Sequence, residues 1–74
     1  MNYRMSILIV ELQRSSKLNA ENFIKEFQIS YRTLKNDINE LNRDLGREYI
    51  KISSDVIEVQ DHERYKNESR RLLN

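Results

Sequence analysis

The stretch NAENFIKEFQISYRTLKNDINELNRDLG, residues 19–46, carries the most informative structural pattern of the chain. It holds two helical patterns that are separated by a two-residue connector. Where the second of these helices begins, residues 29–36 contain Arg32 and Lys35 but no acidic residue, although the whole chain carries 13 basic and 12 acidic residues. This local absence of carboxylates indicates that an anionic ligand belongs there.

The first helix of the stretch is predicted to be short. Asn19 is a favourable N-cap residue, and Phe23, Ile24 and Phe27 then recur at i, i+1 and i+4. This spacing predicts an amphipathic helix of about two turns that ends just before the connector.

The second helix of the stretch begins after Ser30, whose hydroxyl is predicted to accept a hydrogen bond from the backbone N–H of Arg32 or Thr33. It ends at Gly46, the only glycine of the chain, where a helix favours a residue that tolerates positive φ. One face of this helix is apolar and the opposite face is polar. The apolar residues are Leu34, Ile38, Leu41 and Leu45, and the polar ones are Arg32, Asn36, Asn39 and Arg43.

Before this stretch, the spacing predicts a helix over Tyr3–Arg14. Ile7 and Val10 point away from its main apolar stripe at 100° per residue, so they need cover of their own. We expect this cover from the C-terminal half of the chain, either the hairpin or the outgoing helix, which carries Tyr65 and Leu72 on one face; a second chain is the alternative. The main stripe consists of Met5, Leu8, Ile9 and Leu12.

After the stretch, the periodicity changes from that of helices to that of strands. Residues 49–60 alternate apolar and polar side chains on both sides of a Ser53-Ser54-Asp55 turn, which predicts a β-hairpin. Residues 61–74 return to a helical pattern, with Asp61 as the predicted cap and Tyr65 as a packing residue. We expect an outgoing helix that continues into a longer protein.

The order of these elements predicts an α+β winged helix-turn-helix, with a three-helix core, a short β-hairpin wing and a C-terminal outgoing helix. Within it, residues 19–42 resemble the N-terminal domains of bacterial transcription regulators of the Mga and mannitol-operon-activator, phosphotransferase-regulated type. Those domains share the pattern S-x-R-T-[IL]-x-x-D-[IL]-x-x-[LI]-N. Its residues in this chain are Ser30, Arg32, Thr33, Leu34, Asp37, Ile38, Leu41 and Asn42.

The resemblance implies a function for the chain as a whole. Residues 1–60 would form the DNA-binding domain of a cytoplasmic transcription regulator, and residues 61–74 would be the outgoing helix or a linker to further domains. Such regulators commonly control sugar-uptake operons, and we expect the full-length protein to act as a homodimer on double-stranded DNA.

Two positions depart from the family pattern. Such proteins commonly have glycine in the turn before Ile29, where this chain has Gln28, and a positive φ there would cost glutamine about 1 kcal/mol. The hairpin tip has Ser53, Ser54 and Asp55 instead of the glycines and lysines of many wings. We therefore expect this wing to reach a phosphate at most and not to insert deeply into a minor groove.

The chemistry of the polar helix face fits DNA, because an α-helix enters the major groove with its first turns nearest the base edges. Arg32 can donate two hydrogen bonds to guanine, and Asn36 or Asn39 can pair with adenine. Ser30 and Thr33 can hold a phosphate beside the helix N-terminus. The candidate DNA contacts are Ser30, Tyr31, Arg32, Thr33, Lys35, Asn36 and Asn39 on this helix, with Lys51 of the wing as a phosphate contact.

Three polar residues, one of them among these candidate contacts, are interpreted individually. Tyr31 is predicted to stack on a sugar or donate to a phosphate. Asp37 lies beside the apolar stripe, so we interpret it as structural, holding a neighbouring basic or backbone group. The single His62 is predicted to be a solvated side chain, because no second histidine and no cysteine accompany it.

Composition excludes several other classes of function. A chain of 74 residues encloses one small core, and it has no cysteine, no glycine-rich phosphate loop and no run of about 18 apolar residues. We therefore predict no enzyme, no cofactor, no metal site and no membrane span. The net charge is only +1, so DNA binding depends on local arrangement. The alternative is a winged helix that binds another protein, and weak salt dependence of binding would identify it.

Overall fold

The computed structural model describes residues 1–74 and confirms the predicted α+β winged helix-turn-helix. Three helices form the core, two strands form the wing, and a fourth helix follows the wing. The elements in chain order are helix α1 (Tyr3–Arg14), strand β1 (Lys17–Asn19), helices α2 (Ala20–Phe27) and α3 (Tyr31–Leu45), strands β2 (Ile50–Ser53) and β3 (Val56–Val59), and helix α4 (His62–Ser69), which runs into a 3-10 turn (Arg70–Leu72).

The core forms where the apolar faces that the periodicity predicted pack against one another. The α1 stripe and the α3 stripe are both buried, and the inner faces of the two wing strands close the core from the other side. Replacing one of these large side chains with alanine lowers the free energy of unfolding by about 2–5 kcal/mol, because the cavity that remains closes only in part. The buried residues from these elements are Met5, Leu8, Ile9, Leu12, Leu34, Ile38, Leu41, Leu45, Ile50, Ile57 and Val59.

The helix ends follow the predicted capping residues. The side chain of Asn19 accepts a hydrogen bond from the backbone N–H of Asn22 at 2.8 Å, and Ser30 Oγ accepts one from Thr33 at 3.0 Å. Gly46 ends α3 with φ 78°, as its position predicted. These caps set where α2 and α3 begin and end. They therefore help to set the direction of α3 relative to α2.

Strand β1 is absent from the sequence-based prediction. Its three residues pair antiparallel with β3, Leu18 opposite Ile57, and the sheet has the strand order β1-β3-β2. The backbone N–H of Ala20 also donates to the carbonyl of Asp55 in the wing turn at 2.7 Å. The wing is therefore fastened to the start of α2 as well as to α3.

The predicted cover of α1 is wrong. Val10 is 38% exposed, and helix α4 docks instead beside the main stripe, where buried Tyr65 donates its hydroxyl to the carbonyl of Ile9 at 3.1 Å. Ile7 packs partly against the core. The wide angle between Val10 and the main stripe leaves that side chain partly exposed, away from the face that α4 covers.

Two predictions for the last helix also need correction. Asp61 precedes α4 but makes no side-chain cap, because its backbone has φ 54° and its carboxylate lies 3.7 Å from Arg47 Nη1. His62 is half-buried rather than solvated. Its Nε2 lies 2.7 Å from the carbonyl oxygen of Leu12, and its ring stacks on that of Tyr65. His62 therefore helps to hold α4 against α1, whereas the half-exposed pair of Asp61 with Arg47 contributes little.

Candidate nucleic-acid interface

The turn between α2 and α3 sets the direction of the candidate recognition helix. Gln28 adopts the left-handed conformation with φ 53° and ψ 46°, and its N–H bonds to the last carbonyls of α2. The N–H of Ile29 donates to the carbonyl of Ile24 at 3.2 Å. Gln28 therefore takes the positive φ considered for it in the sequence analysis, at a cost of about 1 kcal/mol.

The exposed side of α3 gathers five of the predicted contact residues in one place. They line a shallow, open depression of about 550 Å³ that contains no carboxylate. All five are exposed, and none forms an ion pair within the chain. The residues are Tyr31, Arg32, Lys35, Asn36 and Asn39.

Within this depression, Lys35 Nζ lies 5.9 Å from the centre of the Tyr31 ring. A cation at this distance from an aromatic face is weakly attracted to it, so the ring helps to hold the ammonium on the exposed side. The tyrosine is itself 40% exposed. Both side chains thus remain available to a ligand.

Ser30 and Thr33 stand at the N-terminal edge of the same helix, and they bond to each other. Ser30 Oγ accepts from the Thr33 backbone N–H and donates to Thr33 Oγ1, with both distances 3.0 Å. Thr33 is half-buried, whereas Ser30 is exposed. Their hydroxyls therefore order the first turn of α3 and lie outside the depression of the other five residues.

Asp37 has the structural role that the sequence predicted for it. Its carboxylate is buried and receives two hydrogen bonds from Arg4, Nε to Oδ2 at 2.6 Å and Nη2 to Oδ1 at 3.0 Å. This pairing raises the pKa of the Arg4 guanidinium. The first acidic residue of α3 is thus withdrawn from the exposed face, and its charge is compensated from α1.

Sequence reasoning did not identify Arg4, although it predicted a basic partner for Asp37. The two residues lie 33 positions apart, and Arg4 sits in the first turn of α1, outside the apolar stripe of that helix. Only the packing of α1 across α3 shows which of the 13 basic residues is the partner.

Asn42 joins the recognition helix to the wing. Its Nδ2 donates to the carbonyl of Ile50 and its Oδ1 accepts from the Ile50 N–H, both at 2.9 Å. The side chain thereby pairs with β2 as a neighbouring strand would. The asparagine at the end of the quoted pattern therefore fixes the position of the wing relative to α3.

Lys51 lies apart from the α3 depression. It is exposed on the outer face of the wing, directly opposite Glu58 in the β2–β3 register. Glu58 lies 3.7 Å from Lys17 on the other side, so its carboxylate is between two lysines. Lys51 itself forms no ion pair within 4.0 Å.

The winged fold and the carboxylate-free depression on α3 are typical of helix-turn-helix domains that bind DNA. The chain belongs to the Mga helix-turn-helix domain family, whose model matches residues 2–64. It is therefore a DNA-binding domain of the transcription-regulator type. Comparison with curated proteins and with solved structures gave no match. None of its helices has the length and apolar character needed to cross a membrane.

Proposed function

We propose that this domain binds double-stranded DNA in a sequence-specific manner, with the exposed side of α3 in the major groove. The observation that carries the proposal is the open depression on α3, which presents two cations, two amides and a phenol and no carboxylate. An α-helix fits the width of the major groove, and these chemical groups match base edges and phosphates.

Each residue of the depression has a proposed role. Arg32 donates two hydrogen bonds to O6 and N7 of a guanine, which is the commonest specific contact in the major groove. Asn36 or Asn39 pairs with adenine N6 and N7. Lys35 contacts a phosphate, and Tyr31 packs on a sugar or donates to a phosphate.

The remaining predicted residues contact the backbone of the DNA in this proposal. Ser30 and Thr33 lie where the N-terminus of α3 carries partial positive charge, which favours a phosphate. Lys51 extends from the outer face of the wing toward a flanking phosphate. Such contacts set the register of the domain on DNA and carry no sequence information of their own.

The wider setting follows from the family resemblance. We propose a cytoplasmic regulator of sugar-uptake operons in which the contacts with DNA come from residues 1–60. Two copies in a full-length homodimer would bind half-sites about 34–36 Å apart, one turn of the double helix. Residues 61–74 lead from the domain toward the rest of that regulator. Binding, not catalysis, is the proposed activity.

The experiment that tests this function is selection of DNA from a random library by the purified chain, followed by affinity measurements at several salt concentrations. We expect a defined consensus containing guanine and adenine, and an affinity that falls steeply as salt is raised. Recovery of random sequences would contradict specific readout. Retention of no DNA at low salt would contradict DNA binding and favour a winged helix that binds protein.

A further inference from the structure

A groove between α1 and α2 has no role in the proposed DNA contact. It consists of two adjoining depressions of about 400 and 160 Å³ that share Ile7, Glu11 and Glu26. Val10 lines one end, and its side chain is 38% exposed. The other end is lined by Leu18, Asn19, Asn22 and Phe23.

The groove combines apolar side chains with two glutamates that come from different helices. Glu11 comes from α1 and Glu26 from α2, and both depressions include both residues. Neither carboxylate forms an ion pair or a hydrogen bond within the chain. Glu21 on the same α2, in contrast, pairs with Lys25 at 3.3 Å. The groove therefore has two uncompensated negative charges beside exposed apolar surface.

These features exclude three occupants. DNA is excluded because its phosphates would meet two carboxylates. A symmetric contact of this groove with the groove of a second copy would bring four carboxylates, Glu11 and Glu26 from each copy, into one interface, and their mutual repulsion disfavours it. The C-terminal helix of the chain is already docked elsewhere, through Tyr65 on Ile9 and His62 on Leu12.

We propose that this groove binds a segment of another protein that presents an apolar side chain next to a lysine or arginine. The apolar side chain would cover Ile7 and Val10, and the basic group would pair with Glu11 or Glu26. Opposite charge at the rim of an apolar contact gives register and excludes acidic partners. Lysine and arginine suit this place because their stems are apolar while their heads are charged.

The groove shares no residue with the depression on α3, so one domain can hold DNA and this partner together. Such a surface gives a DNA-bound domain a direct contact with a basic protein. The inference goes beyond DNA binding and does not depend on it, because it rests on a different pair of helices.

The test is a selection of random 12-residue peptides displayed on phage, with the biotinylated 74-residue chain as target and its E11K/E26K variant as counter-target. We expect enriched peptides that combine Leu, Ile, Val or Phe with Lys or Arg. A synthetic copy of the leading peptide should shift the backbone amide signals of Ile7, Val10 and Leu18 in the NMR spectrum. The E11Q/E26Q variant should bind that peptide up to about fivefold more weakly, as for one partly exposed ion pair of at most about 1 kcal/mol.

Thermal melting and DNA affinity of E11Q/E26Q serve as controls: the melting temperature should match the wild type, and the DNA affinity should not fall. No enriched peptide, acidic or uncharged enriched peptides, or shifts confined to other surfaces would overturn the proposal. Sedimentation equilibrium provides the last arm: a dimer that the V10D variant abolishes would show that a second copy occupies the groove. A loss of DNA affinity in E11Q/E26Q would show that the groove belongs to the DNA interface instead, because removal of two negative charges by itself favours DNA binding.

Discussion

Arg4 and Asp37 join the first helix of the domain to the candidate recognition helix through two parallel hydrogen bonds of 2.6 and 3.0 Å. The carboxylate is buried, whereas a quarter of the arginine side chain is exposed. A planar guanidinium holds a carboxylate at two points and so limits both sliding and rotation of α3 against α1. The pair therefore fixes the angle at which the α3 surface is presented.

Loss of Arg4 should destabilise the domain. In Arg4→Met the Asp37 carboxylate stays buried without a partner, so we expect the free energy of unfolding to fall by about 1.5–3 kcal/mol. The double variant R4M/D37L replaces the pair with apolar side chains and should recover most of this loss. Urea denaturation of the three proteins measures the effect, and a single variant as stable as the wild type would refute it.

Replacement of Lys35 tests the proposed phosphate contact. Lys35→Ala should weaken binding to the selected DNA site and to unrelated DNA by similar factors, because a phosphate contact is independent of sequence. The slope of log affinity against log salt should become shallower by about one unit. The matched control is Lys66→Ala, which removes a lysine of α4 that pairs with Glu63. If both variants keep the wild-type slope, Lys35 faces solvent only.

Val10 and Ile9 are neighbours in sequence with opposite environments. Val10→Asp should change the free energy of unfolding by no more than about 0.5 kcal/mol, because its side chain is 38% exposed and water can reach the new carboxylate. Ile9→Asp should cost several kcal/mol, since Ile9 is fully buried. Thermal melting compares the two. Equal, large losses would show that Val10 is covered after all.

Local patterns predicted most of this fold from the sequence. The stripes of α1 and α3, the caps at Asn19 and Ser30 and the stop at Gly46 each depend on residues within a few positions of one another. Strand β1 has only three residues, which is too short for a periodic signal, and its partner Ile57 lies far away along the chain. The pairing of β1 with β3 therefore cannot be predicted from any local sequence pattern.

The same distinction explains the errors. His62 bonds to the carbonyl of Leu12, which lies 50 positions away in the sequence. Whether α4 meets α1 at Ile9 or at Val10 depends on how α4 docks, and the sequence of α1 alone does not show this. In the candidate interface, the exposed residues of α3 followed from its periodicity. The identity of Arg4 as the partner of Asp37 required the packed structure.

Tyr65 makes the stability of the domain depend on pH in the alkaline range. Burial raises the pKa of its hydroxyl above the ordinary value of 10.0, so the folded state holds this proton more tightly than the unfolded state. The contribution is complete below pH 10 and is lost as the pH rises above it. Stability of the wild type should therefore fall above about pH 10, by at most about 1.4 kcal/mol per pH unit from this group.

The variant Tyr65→Phe tests this dependence. It should be about 1 kcal/mol less stable at pH 7, through loss of the hydrogen bond to Ile9, but should lose less stability than the wild type above pH 10. Tyr3→Phe is the control, because Tyr3 is 78% exposed, and its profile should follow the wild type. Parallel alkaline profiles for Tyr65→Phe and the wild type would contradict the assignment.

The central claim is that Arg32 reads a base edge in the major groove, and methylation interference measures this directly. Methylation of guanine N7 blocks the atom to which a bidentate arginine donates. With a DNA site selected by the wild-type chain, we predict strong interference at a defined guanine. Arg32→Ala should lose that interference, with a loss of about 1–3 kcal/mol in affinity and relaxed preference at that base pair, whereas Arg64→Ala on α4 should keep it. Interference at no guanine, or an unchanged pattern in Arg32→Ala, would contradict the claim.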